Sequence, residues 1–144
     1  MRFSEASGRK VVSTTTAETV GKVDRFVVDV SGPRVVALEL KKTESGNTLR
    51  WSDVTAFGGD AVTVESAEKI TDGGEDIAPL LGKGNQVLGK RVLTTNGDEI
   101  GEVSDVDFEA GSGTVISLLL DHGAEIAGTR LVGVGSYAVV VRAQ

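Results

Sequence analysis

Asp105, Asp107 and Glu109 stand two residues apart, a spacing that would put three carboxylates on one strand face as oxygen ligands for a hard cation. They do not complete a calcium loop. Ala110 occupies the position where the sharp turn needs glycine, and Ile116 the position where a bidentate Glu would close the shell. These acids are expected to form a solvated strand edge that discourages pairing with another sheet. Weak divalent-cation binding is the alternative, and no metal site is assigned. Asp121-His122 could orient an imidazole as a general base, yet His122 is the only histidine and neither a nucleophile nor oxyanion donors accompany it. Gly58-Gly59 and Gly111-Ser112-Gly113 lack the lysine and the strand-to-helix setting of a phosphate cradle, so they read as hairpin turns. Ser13-Thr14-Thr15-Thr16 offers hydroxyls to a kinase, but a turn explains it more simply. No catalytic residue and no cofactor is expected, and the chain reads as a non-enzyme.

Composition narrows the partners. The 144 residues are 40% hydrophobic and 25% charged, a globular balance, and the missing cysteine removes disulfides, thiolate metal sites and a catalytic thiol. Fifteen basic against 21 acidic side chains leave a net charge of −6, which repels phosphate backbones. DNA is therefore not expected as a partner, and RNA or a ribosome is disfavoured. The opening Met1-Arg2-Phe3-Ser4-Glu5 lacks the apolar core of a signal peptide, and no run approaches the roughly 18 apolar residues of a membrane helix. A cytoplasmic location is expected, with any membrane contact made through a partner.

The elements that would position these residues occur twice. Gly21-Lys22-Val23-Asp24-Arg25-Phe26-Val27-Val28-Asp29 matches Gly101-Glu102-Val103-Ser104-Asp105-Val106-Asp107-Phe108-Glu109 at an offset of 80, and Val35–Leu40 matches Val115–Leu120 at the same offset. Continuing at 80, Arg50-Trp51 falls on Arg130-Leu131, Val54 on Val134 and Phe57 on Tyr137; Ala61–Val64 meets Ala138–Val141 at 77. Val36, Leu38 and Leu40 alternate with Val35, Ala37 and Glu39, the signature of a strand with one buried face, and Asn96-Gly97 marks a tight hairpin. Val20, Val23, Phe26 and Val28 are spaced three, three and two apart, as are Ile100, Val103, Val106 and Phe108, so a bulge or bend is expected in each long strand. The inward set should be Val23, Phe26, Val28, Val36, Leu38, Leu40, Trp51, Val62 and Val64, with their counterparts in the second copy.

The ordered series Gly-Lys-x-Val, an Asn-Gly turn, x-Gly-x-Val-x-Asp-Val-x-Phe, Val115-Ile116-Ser117-Leu118-Leu119-Leu120, Arg130-Leu131-Val132 and a last valine strand resembles the PRC-barrel family. The first copy departs from it at Arg25, where the second has Asp105. The resemblance implies an all-β chain of two tandem small antiparallel barrels, residues 1–67 and 87–144, joined by a polar linker at 68–86. It also implies a module that mediates protein–protein assembly, with a foreign protein or a second copy as partner. A ribosome- or RNA-associated adaptor like the family's maturation-factor barrels is the alternative.

Contact is expected on the outer face of the second copy. Where the first places Glu39, Ser52 and Thr63 at solvent-side positions, the second places Leu119, Val132 and Val140, and contiguous exposed apolar residues mark interfaces. Leu119, Val132 and Val140 are the candidate partner-binding residues. Ile77-Ala78-Pro79-Leu80-Leu81 in the linker is a candidate cover for one of the barrels.

Overall fold

The computed structural model describes the whole chain apart from the side chain of Lys83. A helical turn, Phe3–Ala6 (α1), precedes the first six strands: Lys10–Ser13 (β1), Thr19–Asp29 (β2), Arg34–Lys41 (β3), Thr48–Arg50 (β4), Val54–Phe57 (β5) and Ala61–Val64 (β6). They form one sheet in the order β4-β3-β2-β1-β6-β5. Arg91–Thr94 (β7), Glu99–Phe108 (β8), Val115–Leu120 (β9), Glu125–Ala127 (β10), Leu131–Val134 (β11) and Val139–Val141 (β12) repeat it as β10-β9-β8-β7-β12-β11. Pairing is antiparallel except between β1 and β6 and between β7 and β12, which run parallel. The edge strands of each sheet do not pair with each other, so each half is an open, barrel-like sheet.

Bulges fall at matching places in the two sheets. Val11 faces Gly21 but Val12 faces Thr19, which leaves Val20 unpaired, and Val92 and Leu93 treat Ile100 likewise. Asp24 and Ser104 are the next extra residues, and Val36 and Ile116 the last, now on β3 and β9. The first two, inserted on β2 and β8 themselves, turn the following side chains over and produce the three-residue steps. The third does the same on β3 and β9, and together they bend the sheet toward closure. The last one also changes the expected core: Val35, not Val36, lies fully buried in the main core, while Val36 faces the other side. Trp51 is half-buried at the edge of that core.

The repeat offset drops earlier than the bare sequence match places it. Leu49 faces Leu38 as Ile126 faces Leu118, and Val54 faces Val64 as Leu131 faces Val141, so the shorter turn of the second copy lies between β9 and β10. Trp51 therefore corresponds to Gly128, Phe57 to Val134, and Val132 takes the place of Thr55 rather than Ser52.

The halves meet about a pseudo-twofold axis. Val35 N–H donates to the Gly113 carbonyl at 2.7 Å, and its counterpart Val115 donates to the Pro33 carbonyl at 2.9 Å, with Arg34 and Thr114 bridged between them. Each bond is the image of the other at the offset of 80. Glycine is required at 113, because its φ is +81° and a Cβ there would sit 2.8 Å from the Val35 carbonyl oxygen. Phe108, fully buried, is the hub beneath this junction. Its ring meets Phe3 at 5.4 Å, Phe26 at 5.5 Å, Phe57 at 5.6 Å and Trp51 at 6.1 Å, all from the first half, and one apolar cluster runs through both sheets. Residues 68–86 are pinned to the first half, where Thr71 bridges Thr48, and Ile77 is buried against Val27 and Ala37.

Phe108→Ala is expected to lower stability by about 3–5 kcal/mol, since the surrounding rings belong to several elements and cannot collapse together into the space. Urea unfolding followed by Trp51 fluorescence and by far-ultraviolet circular dichroism checks this, and the two curves are expected to coincide.

Candidate functional site

The three acids proposed as a solvated edge are not alike in the structure. Asp105 is 8% exposed and accepts bonds from the Ser4 N–H at 3.1 Å, the Ser4 hydroxyl and its own Val106 N–H at 2.9 Å. Burial under α1 corrects the solvated reading, and its physical reason is that the first half's N-terminal turn crosses to the second half's sheet. Asp107 takes the Met1 ammonium at 3.1 Å. Glu109 closes its own turn through Gly111 and Ser112, whose N–H groups and hydroxyl hold its carboxyl below the ordinary carboxylate value. Among the described residues, no three His, Asp or Glu side chains gather where a metal could sit.

The remaining candidates sit in turns. His122 Nε2 donates to the Ile100 carbonyl at 2.8 Å, and Asp121 accepts the Glu102 N–H at 3.1 Å, so both brace the loop over Gly101. Ser13 is buried and its hydroxyl donates to the Glu65 carbonyl at 3.1 Å.

Leu119, Val132 and Val140 are distributed over two places. Leu119 lies half-buried on β9 between Asp105 and Glu125, in a shallow groove with Arg2, Ser104 and Gly123. Val140, also half-buried, stands on β12 between Leu93 and Gly133, and Val132 occupies the bulge of β11 with 42% of its surface exposed. Strands β7 and β8 separate β9 from this second group. Glu39, taken as the solvent-side counterpart of Leu119, is only 6% exposed, paired with Arg25 at 3.0 Å and capped by the Gly82 N–H at 2.7 Å.

Two exposed apolar side chains were not singled out from the sequence, Ile116 at 50% and Tyr137 at 65%. Simple alternation puts Ile116 inward with Leu118 and Leu120, as the counterpart of Val36; the bulge on β9 turns it outward. Tyr137 holds the Arg91 guanidinium over its ring at 4.6 Å.

A cleft of about 330 Å³ lies between the first half and the 68–86 segment packed on it, lined by Arg34, Arg50, Trp51 and Ile77 among others, with Ser112 reaching it from the second half. Arg50 closes one side of it by binding the Gly73 carbonyl and Asp76, whose carboxyl the guanidinium holds below its ordinary value. No helix among the described residues is long and apolar enough to cross a membrane.

The family model for the PRC-barrel domain matches residues 1–70 and again residues 83–143. No curated protein matches the chain.

Two outcomes follow for these contacts. Asp105→Ala should destabilise the chain by about 2–3 kcal/mol, because it leaves the Ser4 and Val106 N–H groups without their charged acceptor. Asp76 titrates lower when folded than when unfolded, so its contribution is present above the ordinary carboxylate value and is lost as the pH falls below it. Amide exchange at Ala78 and Leu80, corrected for intrinsic rates, should therefore quicken as the pH falls below about 4. Asp76→Asn should remove that pH dependence.

Proposed function

Because this chain belongs to the PRC-barrel domain family through both of its halves, we propose that it serves as a non-enzymatic protein–protein assembly module in the cytoplasm. The observation that supports this is the asymmetric exposure of apolar side chains. Ile116, Val132 and Tyr137 are the large hydrophobic residues left exposed, and all three stand in the second half. Each such side chain, about half in water, forgoes roughly 1 kcal/mol of burial, which a docked partner recovers. The core positions of both sheets are filled by Val, Leu, Ile and Phe side chains, and a barrel interior filled in this way offers no convergent polar pocket for chemistry. The net charge of −6 sets the surface against phosphate backbones and favours a partner with basic groups.

The test is photocrosslinking in the native cytoplasm, with a photoreactive phenylalanine analogue placed at position 116, 119 or 132, or at the exposed Thr16 of the first half as control. Discrete protein adducts from the second-half positions, and none from position 16, are the expected result. Equal labelling from all four positions, or none from any, contradicts the proposal.

A further inference from the structure

The first half carries its own occupant on the face where the second half is open. On the outer side of β2 and β3, Val27, Val36 and Ala37 form an apolar strip, and Ile77, Leu80 and Leu81 pack on it. Gly82 N–H then donates to Glu39, which ends the contact on a polar anchor. Val36 projects into this strip because it is the extra residue of the β3 bulge: Val27 faces Ala37 while Val28 faces Val35. The second half builds the same bulge, with Asp107 facing Ser117 and Phe108 facing Val115, and so projects Ile116 from the equivalent place. There it is 50% exposed. Residues 1–4 occupy part of this face: Met1 pairs with Asp107, Ser4 holds Asp105, and Arg2 bridges Asp107 and lines the groove beside Leu119 and Glu125. None of these contacts involves Ile116.

The chemistry of the two faces also differs. Val27 is replaced by Asp107, Ala37 by Ser117, and the Arg25–Glu39 pair by Asp105 and Leu119. The carboxyl of Asp107 remains 38% exposed, and Glu125 stands opposite Leu119. A segment lying here would meet the apolar Ile116 and Leu119, with Glu125 and the exposed part of the Met1-paired Asp107 carboxyl to one side and Arg2 in the groove. A second copy of this chain has no free segment of that kind to offer, since its Ile77 is buried, 4% exposed, on its own first half.

Resting on the reading of the chain as an assembly module, we propose that the outer face of β8 and β9 around Ile116 and Leu119 is a docking groove for a short apolar segment of a partner protein. That segment resembles Ile77–Gly82 in its branched side chains and proline, and it carries Lys or Arg at its flanks. The proline restricts the free segment and so reduces the ordering cost of docking, and the basic flanks meet Glu125 and the solvent-facing part of the Asp107 carboxyl that Met1 leaves open.

The probe is a synthetic peptide, Lys-Lys-Ile-Ala-Pro-Leu-Leu-Gly-Lys, titrated into the isotope-labelled full chain and followed by amide chemical shifts. Saturable shifts confined to β8 and β9, with a dissociation constant on the order of 100 µM, are expected. Ile116→Glu and the uncharged Ile116→Ser, both at a half-exposed site, should fold as the parent does and bind about tenfold more weakly. A peptide with Glu in place of its flanking Lys should lose about as much. Shifts on β2, β3 and 77–82 instead, unchanged affinity in both Ile116 variants, or no saturation at millimolar peptide would overturn the proposal. So would concentration-dependent shifts at the same amides without peptide, which would make the occupant a second copy. If the peptide fails while crosslinks from position 116 persist, the segment chemistry is wrong and the assembly reading stands; if those crosslinks are absent too, both readings fall.

Discussion

Phe108 is the side chain on which the arrangement of the two halves turns. It belongs to the second sheet, yet its aromatic neighbours, Phe3, Phe26, Trp51 and Phe57, all come from the first. Each half has only about 60 to 70 residues, a size at which a single sheet is marginally stable alone. Gathering four of the other five aromatic side chains around the Phe108 ring supplies an interior shared by both sheets. The last bulge places its extra residue, Ile116, on β9 opposite the step from Asp107 to Phe108, so Ile116 turns outward while Phe108 stays on the inward face with Val106 two residues before it.

The pseudo-twofold arrangement accounts for the differences between the copies as well as their likeness. The reciprocal bonds of Val35 and Val115 fix the axis, and on either side of it a segment preceding each sheet crosses to the outer face of the other or lies on its neighbour. Residues 77–82 cover Val27, Val36 and Ala37, whereas α1 reaches Asp105. Arg25 and Asp105 hold equivalent positions and answer those different covers, Arg25 by neutralising the buried Glu39 and Asp105 by accepting the Ser4 N–H. A buried carboxylate needs such a partner, whether a cation or several N–H donors. Ile116 is left exposed where its counterpart Val36 is packed because residues 77–82 lie on the first half.

The fold was largely legible in the sequence, because strand alternation, turn residues and an 80-residue repeat all point the same way. The bulges were legible as a phase change in β2 and β8. Their effect on β3 and β9 was not, because a bulge inserts its extra residue on either of two paired strands and periodicity along one strand does not say which. That is why Val36 was expected inward and Ile116 overlooked. The offset of Trp51 was misjudged for a related reason: Arg50-Trp51 and Arg130-Leu131 look alike, but the shortened turn after β9 moves the true counterpart to Gly128. Burial of Glu39 and Asp105 depends on segments remote in sequence, Gly82 and Ser4, which no local pattern records.

The central claim is that the two halves are one cooperative body joined across the pseudo-twofold axis. Native-state hydrogen exchange at the Val35 and Val115 amides tests it most directly, since these bond to Gly113 and Pro33 across the junction. The account predicts that both amides exchange only through global unfolding, with equal free energies and the same denaturant dependence as the core amides of Val23 and Val103. Exchange of Val35 and Val115 through a low-energy opening, while Val23 and Val103 stay protected, would mean that the halves separate freely and would contradict it.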